Sequence, residues 1–208
     1  MTRPNPVLVI ATTNVGKARE IRSALRGVRV RFATLSGAYA GTTYREKGRT
    51  FSENARGKSL YYSRGTDDIV LAEDSGLEID ALAGAPGVRS ARFSAPGATD
   101  AKNIRKVLKL LSGVPRRQRR ARFVCVMALA RKGKIIATAR GVVRGTIALE
   151  AKGARGFGYD PIFYYGTRRK TFGELGRREK NAISHRGRAL RKIKAFLLEG
   201  MKRLRSAP

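Results

Sequence analysis

The sequence predicts an α/β fold built on a mixed β-sheet flanked by helices, and three observations carry that prediction. Short apolar runs alternate with helix-periodic segments from Val7 to Leu111. A longer apolar run, Phe123 to Ala130, meets a tight turn and then a second strand-like segment. The chain has 208 residues, 42% of them hydrophobic, which is enough for a real core and excludes wholesale disorder. No internal repeat and no low-complexity linker divides it, so residues 1–208 are expected to form a single domain.

Val7 to Ala11 reads as a buried strand. A polar loop follows, and then Ala18, Ile21, Ala24 and Leu25 fall at helical spacing. Val28, Val30 and Phe32 alternate with arginines, which predicts a half-exposed strand over Val28 to Phe32. Thr50 to Arg64 reads as a helix opened by a capping box, with Thr50 covering one free N–H and Glu53 reaching back to another. Ile69 to Ala72 predicts a short strand ending in acids. Ala85-Pro86-Gly87 marks a rigid turn, with Arg89 and Arg92 beyond it. Thr99 to Leu111 is a helix with Ile104, Val107, Leu108 and Leu111 on one face. Arg122 to Ala130 predicts a central strand, turned by Arg131 to Lys134 into a hairpin partner, Ile135 to Val143. Ser184 caps a final helix whose Ala189, Leu190, Ile193, Phe196 and Leu197 face inward.

Charge is the unusual property. Lys and Arg number 45 against 15 Asp and Glu, a formal net charge of +30. Such a balance suits polyanions and predicts non-specific association with nucleic acid. The spread of the basic residues along the chain argues in part for a general bias with no partner. Two places are denser: "PRRQRRAR", Pro115 to Arg122, with five arginines, and Thr167 to Ser206, with 14 basic residues against three acidic ones. Cys125 is the single cysteine, so no internal disulfide forms, which fits a reducing, cytoplasmic setting. The longest apolar run, eight residues, is far short of the roughly 20 a membrane span needs. Val7 to Ala11 is also shorter than the roughly 7–15 residues of a signal-peptide core. A soluble, unprocessed chain without membrane partners is expected.

Four polar clusters could carry chemistry. In the first, the strand ends in Thr12, Thr13, Asn14, Val15, Gly16 and Lys17 just before a helix. Free N–H groups, hydroxyls and one cation suit an anion there, but an ordinary turn capped by Asn14 or Thr13 fits equally well. It is not the G-x-x-x-x-G-K-[ST] phosphate loop, because Ala11 and Ala18 replace the first glycine and the hydroxyl. In the second, Glu73 and Asp74 lie side by side before Ser75 and Gly76, with Glu46 and Glu53 as further acids. Paired carboxylates suit a hard cation such as Mg²⁺; an acidic turn facing solvent is the alternative. In the third, two glycines flank Phe157, and Tyr159, Asp160 and Pro161 follow. Glycines admit a ligand close to the backbone and an aromatic ring could stack on a base, or the rings belong to the core. In the fourth, Lys180 precedes His185 and Arg186, which oppose the dipole in the first turn of the last helix. A lone histidine is more often a structural hydrogen-bonder than a catalyst.

Taken together, "ATTNVGKAREI", "TFSENARGKS", "LAEDSGLEIDALAGAPGVRSARF", "GFGYDPIF" and "EKNAISHRG" resemble the non-canonical purine nucleoside triphosphate pyrophosphatases, or inosine triphosphatase family. They span Ala11 to Gly187, nearly the whole chain. The resemblance implies hydrolysis of ITP, dITP and XTP to the monophosphate and pyrophosphate with Mg²⁺. It implies a cytosolic homodimer and an elongated mixed α/β fold of two lobes around a nucleotide-binding cleft. By the same resemblance, Thr12, Thr13, Asn14, Val15, Gly16 and Lys17 hold the triphosphate. Asp74 is proton acceptor and metal ligand, and Ser75 contacts substrate. Phe157, Gly158, Tyr159 and Asp160 meet the nucleoside, and Lys180, His185 and Arg186 surround the base. Glu73 stands where relatives carry Asp, and Arg45 where a metal-binding acid is common, which leaves Glu46 as the metal candidate beside Asp74 and Glu73. Two other readings compete. One is a pyrophosphatase for other modified nucleotides, and the other is a basic nucleic-acid-binding protein that keeps the fold without the chemistry.

Overall fold

The structure is a computed structural model that describes residues 6–35 and 43–205, with side chains described through residue 200. Within the basic stretch from Thr167 to Ser206, the side chains of Lys202, Arg203 and Arg205 therefore lie outside the described residues. Seven strands form one sheet in the order β2-β1-β3-β4-β5-β6-β7. They are β1 (Val7–Ala11), β2 (Arg31–Thr34), β3 (Ile69–Ile79), β4 (Arg120–Arg131), β5 (Lys134–Ile147), β6 (Phe163–Tyr165) and β7 (Lys170–Thr171). The helices are α1 (Val15–Ala24), α2 (Phe51–Ser63), α3 (Asp100–Leu110), α4 (Arg177–Ile183) and α5 (His185–Arg205). β1 pairs parallel with β2 and β3, whereas β6 pairs antiparallel with β5 and β7, so the sheet is mixed as the sequence predicts. No helix among the described residues is long and apolar enough to cross a membrane.

The chain divides into two compact units. Residues 1–74, 126–140 and 188–208 make the first, and its core includes Val9, Ala11, Tyr62, Val70 and Ala72. Residues 75–125 and 141–187 make the second, with a core that includes Leu77, Ile79, Val107, Phe123, Phe163 and Phe172. Aromatic rings dominate the second core: Phe163 lies 4.5 Å from Phe123 and 4.9 Å from Phe172 between ring centroids.

Several elements differ from expectation, each for a physical reason. Pairing of Val7 with Arg31 sets β2 at Arg31–Thr34, and Val28 is buried instead in the turn after α1. Glu53 does not return to the N-cap: its carboxylate accepts from the Arg49 N–H at 2.8 Å, while Thr50 Oγ1 accepts from the Glu53 N–H at 3.1 Å. Lys132 and Gly133, at φ of 50° and 69°, make a two-residue turn, so β4 and β5 run longer than predicted on both sides of it. Ala189, Leu190, Ile193 and Leu197 of α5 are buried, but Phe196 is 39% exposed and does not join them. Ser184 ends α4 and its hydroxyl accepts from the Gly187 N–H at 3.1 Å, opening α5. A side chain at position 187 would fall on the Asn181 carbonyl, so glycine alone lets α4 and α5 approach this closely.

The largest correction concerns the acids. β3 continues through Glu73 and Asp74 to Ile79, so both lie in mid-strand and both are buried. Ser75 and Gly76 look like a turn in sequence. Leu77 and Ile79 are wholly buried beyond them and keep the chain extended.

Candidate functional site

In the first unit, Thr12 to Asn14 leave β1 as a short loop. Thr12 Oγ1 accepts from the Asn14 N–H at 3.2 Å, and Asn14 caps α1 by accepting from the Lys17 N–H at 3.0 Å. Thr13, Asn14 and Val15 are exposed, and Gly16 and Lys17 are half-buried in the first helical turn. Lys17 does not face solvent alone: its ammonium lies 2.9 Å from a Glu73 carboxylate oxygen.

Asp74 sits at the centre of this unit's polar groups. Its carboxylate accepts at 2.8 Å from the side-chain amide of Asn54, a wholly buried residue of α2. The Asn54 carbonyl oxygen accepts from the Gly48 N–H at 2.8 Å. One amide therefore orients Asp74 and anchors the segment that carries Glu46. Lys58, one helical turn after Asn54, pairs with Glu46 and donates to the Glu73 carbonyl at 3.1 Å. Gly57 makes room on α2 for the Tyr44 hydroxyl, which docks the same segment. Burial holds the Asp74 carboxyl above the ordinary carboxylate range, and nearby Glu46 adds to this; the Asn54 hydrogen bond, Lys17 and Lys58 oppose it.

Neighbours in sequence do not become a chelating pair here. Successive side chains of a strand point to opposite faces, and Glu73 turns to Lys17 of α1 while Asp74 turns to Asn54 of α2. Among the described residues no three acidic, histidine or cysteine side chains converge as a metal cage. Arg45 is exposed and Glu46 half-buried, so Glu46 and not Arg45 is turned toward the acids.

The second unit gathers the remaining candidates. Gly156, at φ +83°, lets the loop fold back onto Asp160, and a Cβ there would fall on the Asp160 carboxylate. That carboxylate, 2% exposed as a residue, accepts from the Phe157 N–H at 2.9 Å and from Lys180 at 2.6 Å. Lys180 and the Arg186 guanidinium lie over the Phe157 ring, 4.7 and 5.2 Å from its centroid. Arg186 also donates to Ser75 Oγ at 3.0 Å. His185 stacks on Phe123, with centroids 4.7 Å apart and planes 16° apart. Lys180, His185 and Arg186 are all buried, which the sequence did not reveal.

Tyr159 belongs to the core. Its hydroxyl donates to the Ser90 carbonyl at 2.8 Å, and burial pushes its ionisation upward. Gly158 donates its N–H to Asp100 of α3 at 2.7 Å.

Sequence reasoning passed over Asn54, Lys58 and Asp100. Asn54 and Lys58 stand four apart on one helix, a spacing that puts both on one face and was legible as such. Asp100 reads as a first-turn acid, and nothing local ties it to a loop 58 residues away.

One unit thus balances buried acids with lysines, and the other holds cations against an aromatic ring. Taken separately, the first is the equipment of an α/β protein for an anion and the second for a planar ring. The chain belongs to the Ham1 family, whose model matches residues 8–196. A dITP/XTP pyrophosphatase of Desulforamulus reducens is 46% identical over 190 residues, covering 91% of this chain and 94% of that one. Its counterpart from Geobacillus kaustophilus is 47% identical over 188 residues, 89% and 91% of the two chains. The structure of a HAM1 protein from Coxiella burnetii superposes with a TM-score of 0.86 at 41% identity, covering 93% and 99%.

Proposed function

We propose that this chain hydrolyses the non-canonical purine nucleoside triphosphates ITP, dITP and XTP to the nucleoside monophosphate and pyrophosphate. The observation that carries the reading is the buried Asp74 carboxylate, oriented by Asn54 and placed among Lys17, Lys58 and Glu46. The dITP/XTP activity named for its relatives supports the same conclusion.

Mg²⁺ fits the donor set. Asp74 and Glu46 offer only oxygen ligands, and burial together with Glu46 makes an ionised Asp74 costly, which a cation would relieve. Mg²⁺ commonly uses one or two carboxylates and completes its shell with phosphate oxygens and water, so a cage of three protein acids is not required. Asp74 and Glu46 would hold it, and Glu73, on the other face of β3, would instead fix Lys17. When bound, the ion supplies neutralising charge on the phosphate oxygens.

The chain's own residues do the rest. Asp74 orients a water, or takes its proton, for attack on the α-phosphorus, and pyrophosphate leaves. Lys17 and Lys58 offset charge on the phosphates, as positioning and electrostatics dominate phosphoryl transfer. The Thr12–Gly16 loop supplies hydroxyl and backbone donors. In the second unit, Lys180 and Arg186 favour a 6-oxo purine, because cationic side chains offer only donors, and His185, stacked on Phe123, is the third residue assigned to the base. Adenine would face donor with donor, a penalty of about 1–3 kcal/mol. Buried as they are, Lys180 and Arg186 act from fixed positions on Phe157. The reading also carries a homodimer and a cytoplasmic location.

The test is pyrophosphate release from ITP, XTP, GTP and ATP, with Mg²⁺ and with chelator. We expect release from ITP and XTP only with the metal, and kcat/KM for ATP lower by 10-fold or more. Orthophosphate as product, or equal values for ATP and ITP, would refute the proposal.

A further inference from the structure

The first unit carries a band of cations that the acid–lysine site does not use. Arg19 and Arg22 share a face of α1, and Arg26 continues the stripe in the turn that follows. Arg29, before β2, and Arg31, its first residue, are exposed as well. Lys194 of α5 donates to the Arg26 carbonyl at 2.6 Å, and Lys192 donates to the Arg140 carbonyl of β5 at 3.0 Å. Those two bonds tie α5 to the turn after α1 on one flank of the buried Ile193 and to β5 on the other. Arg19 and Arg22 also border an open groove of about 500 Å³ whose lining includes Thr34 and, on the side of the triphosphate loop, Thr12, Thr13 and Asn14.

Neither these seven basic side chains nor an eighth, the exposed Arg140 of β5, has a carboxylate within ion-pair distance among the described residues. The acid of α1, Glu20, is buried. By contrast, the run that looks most basic in sequence is largely committed. Arg119 is buried on backbone carbonyls, Arg122 pairs with Glu78, and Arg120 lies 3.8 Å from Asp80. These cations all belong to the first unit and carry charge that no carboxylate offsets, on elements that no dense sequence run announces.

We infer that the α1–β5–α5 face binds the phosphodiester backbone of nucleic acid without regard to base sequence. Guanidinium groups pair in a bidentate way with phosphate. An anionic membrane fits less well. The apolar sides of both helices are buried at Ile21, Leu25, Leu190, Ile193 and Leu197, and among the described residues only Val15 of α1 and Phe196 and Leu198 of α5 are exposed large apolar side chains, too scattered to form an inserting face.

The experiment measures binding of the full chain to a duplex DNA of arbitrary sequence, a structured RNA, and anionic vesicles, across about 50 to 200 mM salt. If all eight cations engage, log Kobs falls against log salt with a slope of about −7. Arg19→Gln, Arg22→Gln and Arg26→Gln together should flatten that slope by about 2–3 and weaken binding at low salt by 10-fold or more. The matched triple of exposed arginines in the second unit, Arg116→Gln, Arg117→Gln and Arg120→Gln, removes the same charge and should change the slope by less than about 1. Binding in either nucleic-acid arm supports the inference, and the tighter arm names the source of the backbone. Equal losses in the two triples would show a diffuse effect of net charge and overturn it. So would absence of binding at low salt, or a preference for vesicles over both nucleic acids.

Discussion

Replacing Lys180 by methionine isolates the ion pair that shapes the second unit's site. The lysine and Asp160 side chains are 4% and 3% exposed, and their charged atoms lie 2.6 Å apart. Methionine keeps most of the stem's bulk but leaves the buried carboxylate without its lysine. Removing one member of a buried pair costs about 3–5 kcal/mol. For a domain of about this size, each kcal/mol moves the midpoint by about 2–4 °C, so Tm should fall by roughly 6–20 °C. Adding Asp160→Asn removes the stranded charge while its amide oxygen still accepts from the Phe157 N–H. The double variant should recover at least about 1.5 kcal/mol over the single one. Urea unfolding at pH 7 measures both, and an unchanged m-value confirms that the same surface is exposed on unfolding. A loss below about 1 kcal/mol in Lys180→Met, or a double variant no more stable than the single, would refute the claim that this pair is an interior electrostatic unit.

Two further outcomes follow from the sites. Asp74→Asn should reduce kcat for ITP by about 10²–10⁴ and yet raise stability at pH 8. Burial chiefly, and then Glu46, hold the folded carboxyl above the roughly 3.9 of an unfolded aspartate. Its destabilising contribution is thus absent below about pH 4 and grows as pH rises through the folded value. Melting curves at pH 4 and pH 8 should show the gap only at the higher pH, and an equal gap at both would count against it. Gly156→Ala should cost about 1–3 kcal/mol and raise KM for ITP, because the backbone is at positive φ and the new methyl meets the Asp160 carboxylate. Unchanged KM and Tm would show that the loop adjusts freely.

Much of the scaffold was legible because periodicity reports burial directly. β1, α2, α3 and the β4–β5 hairpin each show one dominant pattern, and each exists where that pattern placed it. The acids were misplaced because polar residues in sequence signal a turn, whereas Lys17, Lys58 and Asn54 make them tolerable inside a strand. Those partners come from two different helices, so no local pattern exposes them. Likewise Lys180 and Arg186 read as solvated cations until Asp160, Phe157 and Ser75 are brought to them by the tertiary fold.

Arg119 shows a further use of the chain's many arginines. Its guanidinium is buried and donates in three directions, to the carbonyls of Val114 at 3.0 Å, Ala148 at 3.1 Å and Leu111 at 2.7 Å. Peptide dipoles replace the hydration shell of this cation, as the carbonyl rings of an ion channel do for a permeating one. The guanidinium ties the end of α3, the turn after it and the strand-to-loop exit of β5 into one coordination sphere. A lysine at the same place would bring a single nitrogen to carbonyls that diverge. At this position arginine is a resident counter-dipole, and the formal charge of the chain counts as surface potential an ion that no partner outside can feel at contact.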